Sequence, residues 1–384
     1  MKFRLLVIAI LFGCSVNEKG GIKPNQATVT LINLDQTFTK DFLDLYNLSD
    51  LIELKNSEDI FLTNIFRLQV FDKDLYAFDD SFSILVRYNS NGKILNRIGK
   101  IGNGPEEVPQ ISDFSIDEDG IIHLASGNSF KVHRYSTKGD YLGNTTIGEQ
   151  MDQISILKGK YFASLTYFNR FNKNLGIFNS NGDSLKTFFP FKDVFPIGLT
   201  KISGHLTRNS SGKILFNEPA SSIIFEISDL LQMKPKYQFI SNNSLWPESK
   251  RHDLNDYFEK LASAEITHLS RFYEETESHF FFSINMKKTG IRKYIIDPRF
   301  GFLDKATNKV YLSNKEDFMV FFRGPYAANG NSFYLIIPKF ELNKIAKENN
   351  RWSQELNEYS LKLNAQEEMD SPIILKFQVR DLED

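Results

Sequence analysis

Short runs in which apolar and polar residues alternate recur along the chain, and glycine-containing turns separate many of them. Two examples are residues 84–88 and 131–135, where alternate positions carry aliphatic or aromatic side chains. This period of two is typical of strands that bury one face. Runs of this kind form similar units that begin near Leu68, Phe114 and Ile154. The pattern therefore predicts a series of repeated antiparallel β-hairpins.

A second turn in each unit recurs about every 45 residues. These turns are Asn91-Gly92, Lys138-Gly139 and Asn181-Gly182. Asn-Gly is a strong hairpin signal because its residues tolerate the positive φ that a tight turn requires. Four short strands in a unit of this length are typical of one blade of a β-propeller.

Further units follow the first three. The fourth begins near Leu206, strands resume at 280–284 and 292–296, and a sixth unit begins near Val310. The sequence therefore predicts an all-β fold, a six-bladed β-propeller. The last strand, Ile373–Val379, and an early strand over 27–34 are predicted to share one blade, because a ring of sheets must close between its two ends.

Two segments interrupt the strands with helical periodicity. Residues 247–269 place Leu254, Phe258, Leu261 and Leu269 broadly on one helical face. Residues 341–366 carry a longer apolar stripe at steps of three or four. Both are predicted to be amphipathic helical insertions.

The N-terminus has the features of a secretory signal. Lys2 and Arg4 precede a short apolar run over 5–12, and Cys14 follows directly. This order resembles the bacterial lipobox, in which the cysteine is acylated and becomes the new N-terminus. We therefore predict a signal peptide at 1–13, a flexible tether at 14–26 and the propeller at 27–384. The alternative is an ordinary signal peptide with an incidental cysteine.

The composition agrees with this picture and narrows the class of partner. Hydrophobic residues make up 41% and charged residues 24% of the chain, which is an ordinary balance for a folded protein. The aromatic content of 14% favours β structure. A formal net charge of −2 argues against nucleic acid as the main partner. The single cysteine excludes an intramolecular disulfide.

The segment 97–107, Arg-Ile-Gly-Lys-Ile-Gly-Asn-Gly-Pro-Glu-Glu, resembles a glycine-proline motif in a family of six-bladed, NHL-like β-propeller lipoproteins from Bacteroidetes. Pro372 and the apolar residues after it resemble a late strand of the same family. Glu106 departs from the motif, which usually has glycine there. The resemblance implies the propeller fold and a lipid anchor, and it brings no catalytic residues with it.

The glycine-rich loop itself is a candidate ligand-contacting loop, with candidate residues Gly102, Asn103, Gly104, Glu106 and Glu107. A phosphate-binding loop would need a helix N-terminus directly after it, but a strand follows and its two carboxylates would repel phosphate. The structural alternative is an inter-blade connection whose glycines allow tight turns. Loops on a rigid scaffold often carry function, so the ligand-contacting role stays open.

A metal site is the second candidate. Asp113 precedes an innermost strand and is the best candidate ligand for a calcium ion in the channel. His123 and His133 lie on neighbouring strands of one hairpin and are predicted to face opposite sides of the sheet, which argues against a joint metal site. The other acidic clusters fall mainly at turns, where aspartate is favoured for local hydrogen bonding.

These features lead to one main hypothesis and two alternatives. The main hypothesis is a binding or scaffolding module, held in outer-membrane lipid through Cys14 and recognising a peptide, glycan or envelope protein. The sequence leaves open whether it faces the periplasm or the cell surface. The alternatives are a lactonase-like hydrolase with channel-bound calcium, and an accessory subunit or sensor of an outer-membrane complex.

Overall fold

The computed structural model describes residues 29–191, 205–242, 245–287, 297–315, 319, 321–347, 351–360 and 371–382. Six antiparallel sheets of four strands follow one another in the described chain, and two of them gain a fifth strand from the N-terminal segment. The innermost strands of all six sheets line one axial cavity. The prediction of an all-β, six-bladed β-propeller is therefore confirmed.

The N-terminal segment contains three strands and the short helix α1 (Phe42–Leu45). The strands are β1 (Thr30–Asn33), β2 (Phe38–Lys40) and β3 (Tyr46–Glu53), with a 3₁₀ turn over Leu34–Gln36. We call residues 30–53 the N-terminal strap, because its strands lie along the outer edges of three consecutive blades. Strand β1 adds to blade 4, β2 adds to blade 5, and β3 is the outermost strand of blade 6.

The first three blades are continuous in sequence, with the strands of each in spatial order from the axis outward. Blade 1 contains β4 (Ile65–Phe71), β5 (Asp74–Asp79), β6 (Ile84–Tyr88) and β7 (Ile94–Ile98). Blade 2 contains β8 (Asp113–Ile116), β9 (Ile122–Ser126), β10 (Lys131–Tyr135) and β11 (Tyr141–Thr146). Blade 3 contains β12 (Met151–Leu157), β13 (Lys160–Leu165), β14 (Lys173–Phe178) and β15 (Ser184–Pro190).

The last three blades carry the additional strands and the helices. Blade 4 contains β16 (His205–Arg208), β17 (Ile214–Asn217), β18 (Ile223–Ile227) and β19 (Met233–Ile240). Blade 5 contains β20 (His268–Glu275), β21 (His279–Asn285), β22 (Pro298–Asp304) and β23 (Val310–Ser313). Blade 6 contains β24 (Arg323–Asn329), β25 (Ser332–Pro338), β26 (Pro372–Val379) and the N-terminal β3.

Both predicted insertions contain helices, and residues 361–366 of the second lie outside the described residues. Helix α2 (Leu254–Ala262), after a 3₁₀ turn at Glu248–Lys250, lies between blades 4 and 5. The prediction of helix up to residue 269 is wrong at its end, because the innermost strand of blade 5 already begins at His268. The second insertion forms two helices, α3 (Lys339–Lys347) and α4 (Arg351–Ser360), between β25 and β26. The described part of the chain has no helix with the length and apolarity needed to cross a bilayer.

The ring closes in blade 6, where the two ends of the chain meet. Strand β26 pairs antiparallel with β3 from Ile373–Glu53 to Val379–Tyr46. The expectation that an N-terminal strand shares a blade with the C-terminal strand is correct, but the strand predicted at 27–34 is not the partner. Strand β1 lies there and pairs parallel with β19 of blade 4 instead. Val310, predicted to begin the sixth unit, begins the fourth strand of blade 5.

The cores lie between neighbouring blades and are rich in aromatic rings. The strap enters the core formed by blades 5 and 6 through Phe42, which is fully buried. Its ring centroid lies 4.6 Å from Tyr46, 4.9 Å from Phe377 and 5.3 Å from Trp352. These contacts join the strap, the closing blade and helix α4, and burial of such rings stabilises the closed ring.

The glycines of the predicted second turns have positive φ, as a tight turn requires, and they also allow blades to approach. Gly92 has a φ of +76°, and a Cβ there would lie 1.9 Å from the carbonyl oxygen of Glu53 in the preceding blade. Gly182 has a φ of +91° and would meet the carbonyl oxygen of Thr146 at 2.0 Å. The turns of blades 1 and 3 therefore sit directly on the outer strand of the blade before them.

We expect Gly92→Ala to lower the free energy of unfolding by on the order of 2–4 kcal/mol, because it adds a clash at the ring closure to the backbone strain. Gly212→Ala is the matched control, since Gly212 has a φ of +74° and no atom lies within 4 Å of its Cβ position. That control should cost about 1 kcal/mol from backbone strain alone. Urea denaturation measures both, and equal losses would contradict the role assigned to the blade contact.

Candidate functional site

The two ends of the ring differ in the length of their connections. We call the end at which the innermost strands β4, β8, β12, β16, β20 and β24 begin the mouth. At the opposite end, short turns such as Asp72-Lys73 and Lys158-Gly159 join the first two strands of a blade. Helices α2, α3 and α4 all belong to connections at the mouth. Function on a rigid scaffold usually resides in such longer connections.

Four of the six innermost strands also bulge near the mouth. Pairing registers shift by extra residues at Phe66 in β4, Asp152 in β12, 270–272 in β20 and 324–326 in β24. Bulges interrupt the alternation of a strand and redirect its side chains, and they are frequent beside functional sites. The bulged residues here, among them Phe66, Asp152 and Arg271, line cavities at the mouth.

Two cavities lie at this end, and a third runs from it along the axis. The axial cavity, of about 180 Å³, is bounded by all six innermost strands. The rim cavity, of about 150 Å³, lies at the mouth ends of blades 1 to 3 and includes Asp80 and Asn128. The lateral pocket, of about 610 Å³, lies between helix α2, the loop at 219–222 and the start of β20. Arg271 lines all three, so it marks their junction.

Arg67 connects four blades at the axis. Its guanidinium donates to a carboxylate oxygen of Asp113 in blade 2. It also donates to the carbonyl oxygens of Ile154 in blade 3 and Leu206 in blade 4, both at 3.2 Å. The backbone N–H of Ile154 donates to the same Asp113 oxygen at 2.8 Å. Charge-assisted hydrogen bonds are stronger than neutral ones, so this group fixes the relative positions of the innermost strands.

Asp113, the sequence-predicted calcium ligand, lies on the innermost strand β8 and is fully buried. Burial raises the pKa of its carboxyl to about 6, while the nearby Arg67 opposes that rise. A cation at Asp113 would compete directly with the Arg67 guanidinium. The described residues contain no group of three or more His, Cys, Asp or Glu side chains that could hold a metal ion. The structure therefore places Asp113 in an ion pair, and calcium binding remains a prediction.

Glu274 presents a second titratable carboxyl to the axial cavity from blade 5. The hydroxyl of Thr207 lies 3.0 and 3.1 Å from its two carboxylate oxygens and donates to them. Burial raises the pKa of Glu274 to about 8, and the opposing effects of Thr207 and Arg67 are smaller. At neutral pH this carboxyl is therefore largely protonated and can donate a hydrogen bond into the cavity.

Arg271 is held between two aromatic rings. The centre of its guanidinium lies 4.0 Å from the centroid of Phe66 and 5.0 Å from that of Phe272. Within the described part of the chain, no carboxylate lies within ion-pairing distance of this guanidinium and no acceptor forms a hydrogen bond with it. The side chain is exposed to the cavities. Its hydrogen-bond donors are therefore available to a ligand.

The lateral pocket differs from the other two in being mainly apolar. Helix α2 contributes Tyr257, Phe258 and Leu261, and Trp246 precedes the helix. The indole N–H of Trp246 donates to the carbonyl oxygen of Lys250 at 3.0 Å, which fixes the ring beside the pocket. A cavity of this size, apolar with a few polar groups, is typical of small-ligand sites.

The glycine-rich loop folds onto itself and does not line these cavities. Glu107 accepts from the backbone N–H of Gly104 at 2.8 Å and pairs with Lys100 at 2.5 Å. A Cβ on Gly102 would lie 2.0 Å from a Glu107 carboxylate oxygen, so the glycine makes room for this contact. The backbone carbonyl of Glu106 accepts from the Tyr135 hydroxyl at 2.8 Å. Together with Asn103 these candidates form an inter-blade connection, and a ligand-contacting role for them stays a prediction.

His123 and His133 face opposite sides of blade 2, as predicted. The register differs from the expected one, since His123 pairs with Arg134 and His133 with Leu124 across a longer turn. His123, in strand β9, contacts Asp117 of the preceding turn at 2.9 Å. Cys14, the candidate lipidation site, lies outside the described residues.

Sequence reasoning missed Arg67 and Arg271, and it noted Glu274 only as part of an acidic cluster at 274–277. The strand alternation does not show which strand of a blade is innermost, and that position decides which side chains reach the axis. A break in alternation at Ser270–Phe272 is the one local signal of the bulge that carries Arg271.

We expect Glu274→Gln to stabilise the protein increasingly as pH rises. An unfolded glutamate ionises above about pH 4.5, whereas folded Glu274 resists ionisation up to about pH 8, so the wild type loses stability across this window. The variant should gain on the order of 1–3 kcal/mol relative to wild type between pH 5 and pH 8. Urea denaturation at both pH values measures this. Glu277→Gln, an exposed residue in the next turn, is the control, and an equal effect of Glu274→Gln at both pH values would contradict the assignment.

Comparisons with known proteins agree with the fold. A protein from Bacteroides fragilis that is predicted to be exported has a similar solved structure, with a TM-score of 0.72 and 15% identity; the match covers 92% of this chain and 100% of that one. A DUF4221 family member from Bacteroides vulgatus has a TM-score of 0.58 and 12% identity, covering 88% of this chain and 98% of that one. None of the curated proteins matches the chain.

These similarities show a shared propeller fold, which confirms the resemblance to Bacteroidetes propeller proteins. A family model described as a domain of unknown function, DUF4934, matches residues 29–378. That match includes all six blades, the N-terminal strap and helices α2 to α4. Because it spans nearly the whole chain, the protein belongs to the DUF4934 family.

Proposed function

We propose that this protein is a binding module of the bacterial envelope, anchored in outer-membrane lipid through Cys14, which recognises a partner at the mouth of its propeller. The partner is a peptide, a glycan or an envelope protein. The observation that carries this proposal is that the axial cavity, the rim cavity and the lateral pocket all have Arg271 in their lining.

The chemistry of the mouth supports binding through polar and apolar contacts together. The rim cavity carries the carboxylates of Asp80 and Asp152 and the amides of Gln110 and Asn128. The neighbouring lateral pocket is lined mainly by aromatic and aliphatic side chains. A rigid ring with a few convergent polar groups beside an apolar pocket is a common form of ligand site.

The axial contacts favour binding over a metal-dependent hydrolase. Arg67 pairs with one carboxylate oxygen of Asp113, so a calcium ion at that oxygen would have to displace the guanidinium. The accessory-subunit hypothesis uses the same mouth as a docking surface, so only the identity of the partner separates it from the main proposal.

The lipid anchor gives the first prediction of this proposal. Wild-type protein should fractionate with the outer membrane, whereas Cys14→Ser should be released into the soluble fraction or retain its signal peptide, because the thiol that carries the acyl chain is absent. Immunoblots of carbonate-washed membranes measure this. Ser15→Ala is the matched control and should stay in the membrane fraction. A Cys14→Ser variant that remained in washed membranes would contradict the anchor.

The mouth gives the second prediction. Asn128 is exposed and lines the rim cavity, so Asn128→Arg should reduce co-purification of the partner from outer membranes in mild detergent at least fivefold, since the larger cation obstructs the cavity. Asn91→Arg makes the same change in an exposed turn at the opposite end and should leave co-purification unchanged. Thermal unfolding verifies that both variants fold. Equal capture by both variants would exclude the mouth as the docking site.

A further inference from the structure

Among the described residues that line the lateral pocket, one side chain carries a formal charge. The described lining combines aromatic and aliphatic residues with serine, threonine, asparagine and histidine, and Arg271 is the only lysine, arginine, aspartate or glutamate among them. A pocket that is otherwise neutral and mainly apolar leaves the charge of Arg271 without a counter-ion inside it. The ligand that complements such a surface is apolar and carries one negative charge.

The position of Arg271 is well defined. The bulge in β20 directs it to the junction of the cavities, and the rings of Phe66 and Phe272 hold its guanidinium by cation–π contacts. The planar fork of an arginine matches a carboxylate, to which it can donate two parallel hydrogen bonds. A dianionic phosphate would call for further cations, and none of the other described residues lining the pocket supplies one.

Two histidines at the pocket offer hydrogen bonds without adding charge. Both ring nitrogens of His205 and Nδ1 of His268 are buried and have no hydrogen-bond partner among the described residues. Burial lowers the pKa of His268 to about 4, and burial together with Arg67 and Arg271 lowers that of His205, so both rings are neutral at physiological pH. These unsatisfied polar atoms are a second observation that indicates a polar ligand group at the inner end of the pocket.

We infer that the lateral pocket binds an apolar carboxylic acid, with its carboxylate on Arg271 and its apolar body against Trp246, Tyr257 and Leu261. This inference rests on the proposed binding function and names the class of ligand. The same chemistry occurs in a small aromatic or aliphatic acid and in the C-terminus of a peptide that ends in an apolar residue. The volume of about 610 Å³ accommodates either.

The protein provides its own reporter for this site. It contains two tryptophans, of which Trp246 lines the pocket and Trp352 packs in the core of blades 5 and 6. In a Trp352→Phe background, the fluorescence of Trp246 alone should change when the pocket is filled. The probes are 4-phenylbutyrate and N-acetyl-Leu-Phe, each compared with its uncharged amide.

We expect saturable changes in Trp246 fluorescence with the two acids and at least tenfold weaker binding of the amides. Arg271→Gln should weaken acid binding at least tenfold and leave amide binding unchanged, and Arg271→Lys should retain part of the preference for acids. Arg208→Gln is the control, because Arg208 lines the axial cavity, pairs with Glu118 and does not line the lateral pocket. Tighter binding of 4-phenylbutyrate would indicate a small acid, and tighter binding of N-acetyl-Leu-Phe a peptide C-terminus.

Equal binding of acids and amides, acid binding that persists in Arg271→Gln, or no fluorescence change at millimolar probe would each overturn the inference. Thermal unfolding verifies that each variant folds. If Arg271→Gln does not fold, Arg271→Lys takes its place, and an acid-to-amide affinity ratio equal to that of the wild type would overturn the inference. Failure here differs from failure of the proposed function, because capture of the partner through the rim is tested separately with Asn128→Arg.

Discussion

The pairing of β26 with β3 is the contact on which the ring depends. Five blades take their first four strands from consecutive sequence, but blade 6 is complete only when residues from both ends of the chain form one sheet. Glu53 at the end of β3 adds a buried ion pair with Lys339 at 2.6 Å and a partly exposed one with Lys55 at 2.5 Å. The backbone N–H of Lys55 donates to the carbonyl of Gly92, so the same segment joins blade 6 to blade 1. This closure holds the innermost strands of the six blades in place around the axis.

The arginine at the axis and the arginine at the mouth of this rigid ring differ in the partners of their side chains. At the axis, one carboxylate oxygen of Asp113 accepts from Arg67 and from a backbone N–H, and Arg67 also donates to two backbone carbonyls, which suits a role in holding innermost strands together. At the mouth, bulges break the regular pairing, and Arg271 remains without an ion-pairing partner in the described part of the chain. Two arginines on innermost strands therefore differ in their local partners: Arg67 is bound to a carboxylate and to backbone carbonyls, whereas Arg271 has donors available for the ligand that we propose.

The sequence predicted the repeated features of the fold well, because they depend on local chemistry. Turns such as Asn91-Gly92 and the alternation in residues 84–88 follow from neighbouring residues alone. The identity of the closing strand did not follow, since β26 pairs with residues more than 300 positions away and both β1 and β3 are plausible edge strands. The helix over 247–269 was extended too far because the bulge in β20 removes the alternation that would mark a strand.

Much of the candidate site was beyond sequence reasoning for a related reason. Asp113 was recognised as a channel residue from its place before an innermost strand, but its pairing with Arg67 spans two blades. The glycine-rich loop attracted attention through composition, yet its contacts are internal. Arg271 and the lateral pocket arise from the meeting of an inserted helix, a loop of blade 4 and a bulged strand of blade 5, and no short motif encodes such a meeting.

The N-terminal strap has a mechanical consequence for the lipid anchor that we propose at Cys14. Traction applied from the side of residue 29 reaches β1 first, then β2, and only afterwards β3. The first two strands are additional edges of blades 4 and 5, whose four own strands stay paired without them. Strands β1 and β2 can therefore detach first and lengthen the linker to the membrane. The pairing of β26 with β3 would come under load only after both have detached.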